Sequence, residues 1–150
     1  MPKRDEKQDE LLQAALKVMD NAYVLWGFKV GAAVLAEDGK IYEGCNVESW
    51  ISGLGICAER NAINHAVLHG NKKVKMVAVV IEDKNVETTR PCGMCLQYIK
   101  DFAEDNAKVI MAKTKAGRIL SEGVEVKSIE ELLPFSYEMR QRALDSFMQS

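Results

Sequence analysis

The sequence contains no uninterrupted apolar stretch of about 18 residues, the minimum for a membrane-crossing helix, so no membrane partner is expected. Met1 to Glu10 is a mixed-charge segment without the apolar centre of a secretory signal, which makes the cytoplasm the expected location. There is no internal repeat, low-complexity tract or Gly/Ser-rich linker, and the three prolines are Pro2, Pro91 and Pro134. A single domain over 1–150 is therefore expected. Charge of one sign is also lacking: 20 basic against 22 acidic side chains leave a net charge of -2, dispersed along the chain. That balance disfavours the broad basic face that a nucleic acid requires. Cysteine is sparse, and four cysteines without a secretory signal argue for metal binding or catalysis over a disulfide framework.

What is present alternates between two periodicities. Leu12, Ala15, Leu16 and Met19 fall at helical spacing, predicting an amphipathic helix over about Asp9 to Ala22. Lys29 to Ala36 and Ile41 to Val47 read as strands joined by the turn residues Glu37-Asp38-Gly39-Lys40, a β-hairpin. Cys57 to His69 reads as a helix closed by Gly70, Val74 to Ile81 as a doubly buried strand, and Cys92 to Glu104 as a second helix behind Pro91. A strand over Lys108 to Lys113, a short one after Gly117, a short helix from Ser128 to before Pro134 and a helix over Tyr137 to Met148 complete the reading. The expected fold is α/β, a mixed sheet of about five strands between helices on both faces.

The chemistry concentrates in two places, Cys57-Ala58-Glu59-Arg60 at one helix start and Pro91-Cys92-Gly93-Met94-Cys95 at another. Cysteines three apart at a helix start are separated by about 300° of rotation, so Cys92 and Cys95 can grip one ion as a pincer. A structural zinc site closes with four protein ligands, whereas a catalytic one keeps three and leaves a position open. Cys57 is the third ligand, and Cys45, mid-strand with no partner at ligand spacing, reads as packing. His65 and His69 share a helical face but lie two turns beyond Cys57, and read as packed or solvated residues. Three thiolates around Zn²⁺ leave negative charge, which two helix N-termini and Arg60 offset. Glu59, two residues from Cys57, cannot share its helical face, so it points into the pocket as a proton carrier and not as a ligand. Its bland alternative is a first-turn acid that complements the helix dipole.

Cys-Ala-Glu-Arg with Pro-Cys-Gly-Met-Cys resembles the cytidine deaminase superfamily, in the branch whose zinc motif opens with cysteine. The likeness runs from about Ala22 to Tyr137 and includes Phe28-Lys29-Val30-Gly31-Ala32-Ala33, Asn46-Val47-Glu48 and Glu131-Leu132-Leu133-Pro134. It implies a Zn²⁺ enzyme deaminating a free cytosine-type nucleoside, with Glu59 as the acid/base. It further implies that Asn46 and Glu48 hold the sugar hydroxyls, that Phe28 packs by the base, and that backbone beside Cys57, at Ala58, reads the base edge. A homotetramer whose pockets borrow residues such as Tyr137 from neighbours is implied as well. Leu25-Trp26-Gly27 stands where the family carries Pro-Tyr-Ser, Ser49-Trp50-Ile51-Ser52-Gly53 where it often carries Asn-Ala-Ser-Tyr-Pro, and Leu96 where arginine is frequent. Pro-Cys-Gly-Met-Cys, Trp50-Ile51 and Tyr137 after Pro134 resemble blasticidin-S deaminases. Cytidine, deoxycytidine, a modified cytosine nucleoside and blasticidin S all stay open as substrates. Two rivals from other classes are a structural zinc module, which needs Cys45 as fourth ligand, and a Cys-x-x-Cys oxidoreductase, which leaves Cys57-Ala58-Glu59 unexplained.

Overall fold

The computed structural model describes residues 5–82, 89–138 and 148. Of the C-terminal helix expected over 137–148, residues 139–147 lie outside the described residues. Among the described residues no helix is long and apolar enough to cross a membrane.

The chain forms α1 (Glu6–Met19), β1 (Val30–Ala36), β2 (Ile41–Cys45), α2 (Ala58–Leu68), β3 (Val74–Glu82), α3 (Gly93–Phe102), β4 (Ala103–Lys115), β5 (Arg118–Ile119), β6 (Glu125–Ser128) and α4 (Ile129–Leu132). The strands make one mixed sheet in the order β2-β1-β3-β4-β5, with β6 also paired to β4. β1 is antiparallel to both β2 and β3, and β3 is parallel to β4. Hence β2, β3 and β4 run the same way, and their C-terminal ends share one edge of the sheet with the N-terminal end of β1. α2 and α3 both start beyond that edge, where ligands of open α/β sheets bind.

Period-two alternation in the central strands builds a core on each face. Ala33, Ala78, Val80, Ile110 and Ala112 turn toward Leu11, Leu12, Ala15 and Met19 of α1. Val34, Val77, Val79, Val109 and Met111 turn the other way, against Ala62, Ile63 and Ala66 of α2 and Ile99 of α3. The result is the expected three-layer arrangement, with six strands where about five were expected.

Element boundaries moved where local hydrogen bonding outweighed hydrophobic period. α1 begins at Glu6 because the Asp5 carboxylate caps it, accepting from Gln8 N–H. α3 stops at Phe102, and β4 starts directly at Ala103, well before Lys108; Asn106 takes positive φ in that stretch. The short helix after Ser128 is fixed by a complete capping box between Ser128 and Glu131.

Two glycines set how closely the helices approach the sheet. A Cβ at Gly31 would lie 1.9 Å from the Ala15 carbonyl oxygen of α1, and one at Gly44 would lie 2.3 Å from Ala62 N and 2.6 Å from Ala58 O of α2. The obstacles are backbone atoms, so the helix as a whole has to move. Gly44→Ala and Gly31→Ala are each expected to destabilise by about 1–3 kcal/mol, the usual range for overpacking, read as a lower thermal midpoint. An unchanged midpoint for Gly44→Ala would mean that α2 is not pressed against β2.

Candidate active site

Cys57 and Cys92 occupy the N-cap positions of α2 and α3, and neither side chain makes a capping hydrogen bond. Serine, threonine or aspartate would be worth about 1 kcal/mol there. The two thiols point instead toward Cys95, which lies buried in the first turn of α3. The three sulfurs all lie within 4.8 Å of one another. Tetrahedral Zn–S bonds of about 2.3 Å place ligand sulfurs about 3.8 Å apart, so the cluster fits a single ion with little movement. Soft thiolates in this number favour zinc over hard cations.

Electrostatics support the same conclusion. Hydrogen bonding from Cys95, then from Arg60, draws the Cys57 thiol down to about 5, whereas that same bond and burial push Cys95 upward. The two sulfurs compete for one proton, and a divalent cation resolves the competition by letting both ionise. Positive potential is already in place. The N-termini of α2 and α3 converge on the sulfurs, and Arg60 Nη2 donates to Cys57 Sγ at 3.7 Å.

Glu59 is 5% exposed, although glutamate is almost never buried without a partner. Its Oε2 accepts from Cys95 Sγ at 3.6 Å. Burial, followed by the charge on Cys57, raises its pKa to about 7. A solvated first-turn acid would show neither the burial nor the shift, so the bland alternative does not describe this side chain.

Glu59 and the three cysteines line a cavity of about 260 Å³ together with Phe28, Asn46, Glu48 and Ala58. Most residues expected at the site therefore converge. Tyr137 does not: it is absent from the wall, and its backbone pairs with the Gln97 side chain through two 2.9 Å hydrogen bonds. Asn46 and Glu48 reach the cavity with their polar atoms already bonded to backbone of their own chain. Val30, Ile81 and Arg90 line it too and were not anticipated. Ile81 was read as ordinary strand core; its clue is its place at the end of the strand that leads to Pro91-Cys92. Cys45 is not in the sulfur cluster. His65 and His69 use their Nδ1 atoms on the carbonyls of Glu43 and His65 and pack around Tyr42.

Residues 5–113 match the family described as cytidine and deoxycytidylate deaminase zinc-binding region. The chain belongs to this deaminase family. It is 35% identical over 130 residues to a cytidine deaminase of Sporosarcina psychrophila, covering 86% of this chain and 90% of the relative. It is 30% identical over 134 residues to a blasticidin-S deaminase of Bacillus cereus, covering 85% and 90%. The solved cytidine deaminase of Burkholderia pseudomallei superposes with a TM-score of 0.75 at 33% identity, over 86% of this chain and 98% of that one. The chain is thus a zinc-dependent deaminase, a hydrolase, and its Cys57, Cys92 and Cys95 form a cluster that could hold the ion.

Within this deaminase, single Cys57→Ser, Cys92→Ser and Cys95→Ser replacements should each reduce zinc to well below one ion per chain by metal analysis, while Cys45→Ser should retain it. Equal loss in Cys45→Ser would turn the centre into a four-cysteine structural site.

Proposed function

We propose that the protein removes the exocyclic amino group of the cytosine ring in a free nucleoside, giving the uracil nucleoside and ammonia. The observation that carries this is a buried carboxyl, Glu59, beside the thiolate cluster at the floor of a cavity close to the roughly 300 Å³ lower end for small-molecule sites. Zinc, when bound, supplies the Lewis acidity that lets water ionise near neutral pH.

Glu59 takes one proton of the water that adds to C4 and passes it to N3; it then takes the remaining proton of the hydroxyl now on C4 and delivers it to the amino nitrogen, so that ammonia leaves as the C4 carbonyl forms. Burial raises the proton affinity of this carboxyl, which suits a group that has to take up a proton and carry it. Arg60 holds Cys57 and offsets the thiolate charge. Phe28 packs on the base, and the backbone at Ala58, the first residue of α2, reads its polar edge. Asn46 and Glu48 wall the end of the cavity left for the sugar.

Residues 1–150 act in this reading as one catalytic domain in cytoplasmic pyrimidine salvage. Assembly as a homotetramer is supported by the exposure of Trp50, Ile51, Leu54, Leu68 and Phe135. Tyr137, exposed and absent from its own chain's cavity wall, is compatible with that assembly. Blasticidin S is the second substrate reading, supported by the Bacillus cereus relative.

Glu59→Gln should keep its zinc and lose activity by about a hundredfold or more, followed as the loss of cytosine ultraviolet absorbance with cytidine, deoxycytidine and blasticidin S. Full activity in that variant would remove Glu59 from the chemistry, and wild-type inactivity on every cytosine nucleoside would remove the reaction itself.

A further inference from the structure

Residues 24–29 precede β1, and only at Lys29 does a sheet strand reach them: Glu82 of β3 donates its N–H to Lys29 O at 3.1 Å and accepts from Lys29 N–H through Oε2 at 3.0 Å. Two further side chains hold the backbone around Phe28. Glu48 accepts hydrogen bonds from three consecutive backbone N–H groups: Leu25, Trp26 at 2.7 Å and Gly27 at 3.2 Å. Asn46 Oδ1 accepts from Val30 N–H at 2.9 Å, and its Nδ2 donates to the Phe28 carbonyl, also at 2.9 Å. Four N–H groups and one carbonyl, placed on either side of Phe28, are thus held by residues 46 and 48.

The segment after β2 that carries both residues is itself tied to the same stretch. Tyr23 N–H donates to Asn46 O at 3.0 Å, Glu48 N–H donates to Tyr23 O at 2.8 Å, and Trp26 meets Trp50 edge to face at 5.2 Å. Gly27 fits only because it lacks a side chain: a Cβ there would lie 2.7 Å from Glu48 Oε2.

We propose that Asn46 and Glu48 are positioning residues, a two-point clamp that fixes the segment 25–30 and through it the Phe28 wall of the cavity. Three converging amides form an anion nest, and here the anion is the chain's own carboxylate. The Trp26 and Leu25 amides hold that carboxyl below the usual carboxylate range, so the clamp stays charged at neutral pH. Glu48 Oε1 accepts from Leu25 and Trp26 and Oε2 from Gly27, so both carboxylate oxygens are already engaged by backbone. The main work of the pair is therefore done on the protein, and it serves the base wall whatever sugar the nucleoside carries.

The test compares the zinc-loaded full chain with its Glu48→Gln and Gly27→Ala variants. It reads amide hydrogen exchange at Leu25, Trp26 and Gly27, KM for cytidine, and Ki for 2′,3′-dideoxycytidine as a competitor. Only the kinetic arm rests on the proposed deamination. In Glu48→Gln, exchange at the three amides should rise about tenfold or more, the value of roughly one hydrogen bond, with exchange in β3 and zinc content unchanged. KM and Ki should rise by the same factor. Gly27→Ala should show the same pattern, because its Cβ displaces the carboxylate without removing a polar group, and it carries the test alone if Glu48→Gln loses zinc or unfolds. Unchanged exchange at the three amides would overturn the clamp. So would a rise in KM without a rise in Ki, which places Glu48 on the sugar hydroxyls. A wild-type protein that does not act on cytidine would defeat the proposed reaction, while the exchange measurement would still decide the clamp.

Discussion

Holding three sulfur anions at one point is the constraint from which the rest of the structure follows. Negative charges at that separation repel strongly unless positive potential surrounds them. The chain supplies it with two helix N-termini and one guanidinium, Arg60. Both helices can start at the same place only because β2, β3 and β4 end at a common edge, which is a property of the mixed sheet. Topology, helix capping and metal chemistry are here one problem with one solution.

Glu59 depends on the same arrangement. It sits in the first turn of α2, next to the sulfurs, in a place too dry for an ordinary carboxylate. The dryness, with the charge on Cys57, raises its proton affinity well above that of a solvated carboxyl. Gly44 contributes at a distance by allowing the backbone of α2 to lie against β2. A deaminase centre of this kind is therefore set by packing behind the helices as much as by the ligands in front.

Much of this was legible in the sequence, for identifiable reasons. Cys92 and Cys95 announce themselves because residues three apart at a helix start converge, and Cys57 because a catalytic zinc needs a third ligand and this cysteine opens another helix beside Glu59. The hairpin was legible because Glu37-Asp38-Gly39-Lys40 carries its own turn chemistry, and Gly39 takes the positive φ that the turn needs. The start of α1 at Glu6 was missed because it hangs on one Asp5 hydrogen bond and not on a hydrophobic repeat. Ile81 had only its place at the end of its strand as a clue, and Arg90 had none, because membership of the cavity wall depends on which strands pair, which one-dimensional spacing does not encode. Asn46 and Glu48 were picked out only through the resemblance, and they lie just past the end of β2. Their partners, the amides of Leu25, Trp26, Gly27 and Val30, are backbone groups, and a sequence carries no mark for those.

The central claim is that one zinc ion is held by three sulfurs with a fourth position left for chemistry. X-ray absorption at the zinc edge of the purified protein measures this directly. Three sulfur neighbours at about 2.3 Å and one oxygen or nitrogen at about 2.0 Å are the predicted result. Four sulfurs, or a shell dominated by nitrogen, would contradict it.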